Sequence, residues 1–341
     1  NAQITGETNV MGRWDVQKQS VESLEIIFNE SFGAGLNEAM SEFWNAWQAL
    51  TNNPSGPTER QILVTRSQVL ASTFNKLDAD LAQAQQDLDR SIVGTIADIN
   101  ELSDQLADLN QKIVSFETVS QSANDYRDQR DLVLEKLAEL IDINPFEDEH
   151  GAVTALIADG RPLVSGSSVW QLSTETNASG LQDVVWVDGA GNSVNVNADI
   201  SGGRLKGWLE TRDVLVIDLV NRLDNLAQNI MTEVNNLHQS GFDLNGVAGE
   251  VFFDGSTTAA GITVNANIVA DFNLIAAATD PLTVPGDNRN AIDIANLQHQ
   301  LVMSGNTATF SDYYSTLVRD VGNEVLTADS YHTHQSEMVA Q

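Results

Sequence analysis

Between Pro57 and Val119 the chain reads as one uninterrupted helix. Leu63, Leu70, Phe74, Leu77, Leu81, Ala84 and Leu88 recur at heptad spacing, and Ile92, Ile96, Ile99, Leu102, Leu106, Leu109, Ile113 and Phe116 carry the stripe onward. Recurrence every three or four positions places these side chains on one side of a helix. The steps Leu88–Ile92–Ile96 are four plus four, a slip in the heptad beside Gly94. Pro57 suits the first turn, where its missing N–H is not needed. An unbroken helix of this span reaches on the order of 90 Å. No globular core needs that length; rods, coiled coils and fibrous assemblies do.

The flanking segments are organised around this helix. "LNEAMSEFWNAWQAL" sets Leu36, Met40, Phe43, Trp47 and Leu50 on a stripe, and "TNNPSGPTER" breaks it with Pro54, Gly56 and Pro57. "NDYRDQRDLVLEKLAELIDI" predicts a further helix, capped by Asn124 and ended by Pro145. From about Asn144 to Gly202 the period changes to short β-branched and aromatic runs between Gly, Asn and Asp, with Gly160 and Gly189 directly after Asp as hairpin signals. Helical period returns at Gly203, with a seam through Leu205, Trp208, Arg212, Leu215, Leu219, Leu223, Leu226, Ile230, Val234 and Leu237, and a stop at Gly241. Residues 242–290 are mixed, with short strands at Val251–Phe253 and Ile262–Val264. A last helical region runs from Ala291 to the end, its stripe of Tyr314, Leu317, Val321, Val325 and Ala328 fading into "YHTHQSEM". The expected fold is mainly α with an inserted β-domain. Residues 1–143 and 203–341 form an elongated antiparallel helical bundle, and 144–202 form a small antiparallel β-domain.

Charge narrows the partners. Lys and Arg number 17 against 48 Asp and Glu, a formal charge of −31. Such a chain is repelled by nucleic-acid phosphates and by anionic membrane surfaces. There is no cysteine, which excludes disulfides, thiolate metal sites and cysteine nucleophiles. No apolar run reaches the roughly 18 residues of a membrane span, and no charged-then-apolar signal peptide opens the chain.

Candidate sites are few. "HQSGFDLNGVAGEVFFDG" begins as a calcium loop does, but Gly246 comes at the fourth position from Asp243, and Val247 and Ala248 take the fifth and sixth. Asp243, Asn245 and Gly246 instead predict an Asx-type turn with Gly246 at positive φ. His332 and His334 lie two apart, on different faces of a helix, and the other three histidines are scattered, as solvated surface histidines are. Asp125, Asp128 and Asp131 share a helix face beside Arg127 and Arg130, a solvated face with acids near a helix start. No GxSxG, P-loop, GxGxxG or HExxH motif is present, so neither an enzyme nor a cofactor or metal is expected. In "GRLKG", Gly203 and Gly207 allow helices to approach closely. Trp14, Trp44 and Trp47 are candidates either for packing inside the bundle or for meeting neighbouring copies.

Several segments together resemble the hook-associated protein 1 family of the bacterial flagellum, relatives of flagellin. They are "LNEAMSEFWNAWQALTNNPSGPTERQILVTRSQVLASTFN", with Phe43, Trp44, Pro54 and Arg60; "NDYRDQRDLVLEKLAELIDI", with Asp128 to Asp131 around Arg130; "SGGRLKGWLETRDVL", with Gly203, Gly207, Arg212 and Asp213; Asp243–Gly246 followed by Phe252–Phe253; and "PGDNRNAIDIANLQ". The resemblance implies a structural role joining hook to filament as a junction ring outside the cell, after export without a cleavable signal peptide. Implied partners are copies of itself, the hook protein, a second junction protein and an export chaperone on a segment beyond this C-terminus. Arg60, Arg130 and Arg212 become candidate packing residues on the same ground. The family's terminal helical segments are absent here; they are expected to fold on assembly, leaving these 341 residues monomeric in solution. Flagellin or another axial protein is the nearest alternative, and a surface adhesin or sugar-binding module using the β-domain is the alternative of a different class.

Overall fold

The computed structural model describes residues 2–28, 35–118, 122–157 and 160–339. Helices α1 (Ala2–Phe28), α2 (Leu36–Asn52), α3 (Pro57–Thr118) and α4 (Asn124–Leu140) come first. α3 is continuous over 62 residues, straight through Gly94; the expected end at Val119 lies outside the described residues. Leu63, Leu70, Phe74, Leu77, Leu81 and Leu88 are buried along it, as are Ile92, Ile96, Ile99, Leu106, Leu109 and Ile113. Ala84 and Leu102 are half-buried, and at the end of the stripe Phe116 is exposed, its ring against Tyr126.

Seven strands follow. β1 (Ile143–Glu147), β2 (Val153–Ile157), β3 (Arg161–Ser165) and β4 (Ser168–Val169) form one antiparallel sheet in that order; β5 (Leu172–Thr176), β6 (Gln182–Val187) and β7 (Ser193–Asn195) form a second. Helix α5 (Gly203–Glu210) passes through a π-helical turn at Thr211–Leu215 into α6 (Val216–Ser240). The β8–β9 hairpin (Phe253–Gly255, Ile262–Val264) and the short helices α7 (Ala266–Ala270) and α8 (Arg289–Asn296) precede α9 (Phe310–Val339). The last helical region is thus interrupted: Ser304, Gly305 and Asn306 all take positive φ in a tight reversal that the apolar stripe does not reveal.

The chain divides into two compact units, residues 1–23, 84–216 and 323–341, and residues 24–83 and 217–322. In the first, the strands do not stand apart from the helices. Ile96, Ile99 and Leu106 of α3, Leu137 of α4, Ala155, Leu163, Leu172 and Val184 of the sheets, and Leu205 and Leu209 of α5 belong to one apolar cluster. In the second, Phe43, Trp44 and Trp47 of α2 meet Phe252, Phe253 and Phe310 in an aromatic core with ring centroids 4.7 to 6.4 Å apart.

Four turns share one construction. Asp148, Asn177, Asp188 and Asp243 each accept, at a single side-chain oxygen, the N–H groups of the residues two and four further on, and a glycine at the third position lies at positive φ. This is a type I turn closed by a left-handed residue, the three-residue hairpin loop. It corrects one expectation: in the β6–β7 hairpin the left-handed glycine is Gly191, not Gly189 of the Asp-Gly pair. The readable pattern was Asp/Asn-x-x-Gly.

Candidate functional site

A polar side chain inside a helical seam needs a partner, and here the partner is repeatedly a strand's backbone. Asn100 of α3 donates from Nδ2 to the carbonyl of Leu172 (2.8 Å) and accepts Leu172 N–H at Oδ1 (2.9 Å). One stretch further along, fully buried Asn110 does the same to Val153, at 2.8 and 2.9 Å, and also donates to the Gly166 carbonyl. Asn235 of α6 treats Phe252 and Phe253 alike, accepting both N–H groups and donating to the Phe253 carbonyl. Each amide binds the backbone of the first residue of a strand, Leu172 of β5, Val153 of β2 and Phe253 of β8, and so fixes the β segment's register on its helix.

Arg212 builds the charged version. Its side chain is fully buried. Nη1 donates to Asp89 Oδ1 (2.6 Å) and to the Gln182 carbonyl (2.7 Å), while Nε and Nη2 grip both oxygens of Asp213. Asp89 Oδ1 also accepts Gln182 N–H, so α3, β6 and the π turn meet at one guanidinium. Burial pulls the guanidinium's pKa down, but the bonds to Asp213 and Asp89 outweigh it and leave it raised. The π turn also shifts the seam. Leu209 and Val216 are buried where Trp208 and Leu215 were expected, and those two are half-buried.

Arg60 is buried among carbonyls instead. Nε and Nη2 reach the Pro54 carbonyl at 2.8 and 2.6 Å, and Nη1 reaches those of Phe272 and Ile275 at 3.1 and 2.9 Å. Burial pushes its pKa down to about 10, so it remains a cation at neutral pH; Asp243 and Asp271 supply the nearby negative charge. Arg130, also buried, ties the Gly151 carbonyl (2.6 Å) and Glu147 (2.9 Å) to α4.

The remaining expected residues fall as follows. Trp44 and Trp47 are interior, in the aromatic core. Trp14 is half-buried and stacks on Tyr331, ring centroids 4.4 Å apart. Gly203, at positive φ, starts α5 against the carbonyl of Leu140, and Gly207 faces α1, where an added Cβ would lie 2.6 Å from the Arg13 carbonyl and collide with Val16. Gly12 faces the Glu139 carbonyl with equally little room. Gly207→Ala is therefore expected to cost about 2 kcal/mol through backbone displacement, read as a lowered midpoint in thermal melts against the parent.

Asp243, Asn245 and Gly246 form the Asx turn described above, with Asp243 buried and Gly246 at φ +71°. His238 is a correction. It is not a solvated histidine but fully buried, taking the seam position expected for Leu237. Nε2 accepts Ala276 N–H (2.9 Å), which leaves Nδ1 to donate to the Glu250 carbonyl (2.6 Å). Burial pushes its pKa down to about 4. Asn100, Asn110 and Asn235 were missed; the signal available was an amide beside a buried seam position.

Comparison with known proteins agrees with this architecture. Residues 21–253 match the model of the flagellar hook-associated protein FlgK helical domain. Flagellar hook-associated protein 1 of Bacillus subtilis is 28% identical over 95% of this chain and 70% of its own length; that of Escherichia coli is 24% identical over 90% and 72%. The solved structure of the flagellar hook junction protein FlgK from Burkholderia pseudomallei superposes with a TM-score of 0.90 over 100% of this chain and 98% of that one, at 16% identity, a likeness of fold. By the match over residues 21–253, this chain belongs to the flagellar hook-associated protein FlgK family.

Proposed function

We infer that the chain is a structural part of the bacterial flagellum, joining hook to filament as a ring of copies packed side by side. The observation that carries this reading is the family match over residues 21–253, on a helical fold shared along the whole chain with a hook junction protein. It favours the junction protein over flagellin. The buried polar groups support it: Arg60, Arg130, Arg212, Asn100, Asn110 and Asn235 all bind backbone, which stiffens the chain rather than presenting chemistry to a substrate. We assign it no catalytic role.

Within this reading, residues 144–202 are an insertion between the helical parts 1–143 and 203–341. The protein acts outside the cell. The hook protein and a second junction protein are its axial neighbours, and an export chaperone holds it before assembly. No described helix is long and apolar enough to cross a membrane. Copies meet heterologously around the ring, each offering one face to the next copy's different face. Deleting the gene in its own bacterium is expected to leave hooks without filaments while filament protein is shed into the medium. Electron microscopy of the deletion strain tests this, and normally attached filaments would contradict it.

A further inference from the structure

The surface of α3 is not uniform. From Thr58 to Gln86 its exposed positions hold Ile62, Thr65, Val69, Ser72, Ala79 and Gln83 among others, while the acids of this stretch, Glu59, Asp78 and Asp80, are half-buried. From Asp87 onward the exposed positions include Asp87, Asp98, Glu101, Asp104 and Asp108. The outward residues Thr58, Ile62, Thr65, Val69, Ser72, Lys76, Ala79 and Gln83 alternate spacings of four and three, a second heptad stripe on the side away from the buried seam. Ile62 is 46% exposed and Val69 42%. The stripe's one charged residue, Lys76, is paired with the half-buried Asp80, and beside the stripe Arg66 is paired with the half-buried Glu42.

We propose that this outward stripe of α3, Thr58 to Gln83, is the face on which a second copy of this chain docks; the proposal rests on the junction reading above. The occupant follows from charge. At −31, two copies repel wherever acidic faces approach. They come together where one face has no surplus of acids, as on this stripe, whose charges are paired within the chain, and so meets the other's acids without like-charge repulsion. Loss of charge from a patch's centre is also what separates an interface from ordinary helix surface. A merely solvated helix face would carry the acids that the other half of α3 carries.

The test places the photo-crosslinking amino acid p-benzoylphenylalanine at Val69, and as control at Asp104, in the full-length protein in its own bacterium. Position 69 is expected to give a ladder of multiples of the chain, and position 104 none. In the Val69-labelled protein, Ile62→Glu is expected to abolish the ladder, whereas Ile62→Lys keeps it, because the incoming surface is acidic. Circular dichroism of the purified variants checks that both fold. Adducts solely with a protein of another sequence, no adduct while the protein sits at the hook–filament boundary, or equal ladders from the Glu and Lys variants would overturn the proposal. Absence of the protein from that boundary would overturn the junction reading along with it.

Discussion

Replacing Arg212 by Ala is expected to destabilise the protein by about 3–5 kcal/mol, the range for breaking a buried ion pair by removing one partner. Three consequences add up at one place. Asp89, whose side chain is 14% exposed, loses the cation 2.6 Å away. The Gln182 carbonyl loses its donor, so the end of β6 is no longer held to the helix. A cavity opens where a fully buried side chain stood. For a chain of this size the melting midpoint should fall by on the order of 10 °C, measured by circular dichroism. Arg212→Lys keeps the charge, but one ammonium cannot reach Asp89, Gln182 and both oxygens of Asp213 together, so it should recover less than half of the loss. A midpoint within two degrees of the parent for Arg212→Ala would remove the guanidinium's assigned role. Hydrogen exchange should localise the damage to Leu172–Asn195, where β5 to β7 lie.

Arg212 also shows what the sequence made legible. Its place in the apolar seam was visible, because the seam's period ran through it. Its distant partners were not, since Asp89 and Gln182 lie 123 and 30 residues away and nothing local pairs them with it. The helices were readable for the same reason as the seam: one long period-3.6 stripe admits no other fold for Pro57–Thr118. Turns were readable only where the right pattern was sought. Asp-Gly pointed to Gly189, whereas the chain turns on Asp188 and Gly191. Ser304–Asn306 was overlooked because a three-residue reversal leaves the apolar pattern on either side intact. Asn100 and Asn110 escaped because an amide that binds the start of a strand is defined by a distant backbone, not by its own spacing. The aromatic stretch at Phe252–Phe253 could be expected to anchor its segment; that a histidine would join it could not.

That histidine sets the second large effect, a pH dependence. In the folded chain His238 has its pKa pushed down to about 4, from the ordinary 6.5, by burial first and by Arg60 in addition, while the Glu250 carbonyl, Asp243 and Glu250 oppose. Protonation would place a hydrogen on Nε2, against the Ala276 N–H that it now accepts. Below pH 6.5 the unfolded chain therefore takes up a proton that the folded chain refuses until about pH 4. The stability is fully present above the unfolded value and is lost as pH falls through this window. Between pH 7 and 4.5 the loss attributable to His238 should be roughly 2.5 kcal/mol. The carboxylates titrate too, so the measurement is a difference. Urea unfolding of the parent and of His238→Gln is followed at both pH values by tryptophan fluorescence; Trp47, one of the six tryptophans, lies 6.4 Å from the imidazole. Gln is the less stable protein at pH 7, having lost the shape of the ring in the aromatic core, yet it should lose less on acidification, closing most of the gap by pH 4.5. Parallel losses in the two proteins would mean that the imidazole is already charged, or already released to solvent, at neutral pH, and the buried neutral tautomer would have to be abandoned.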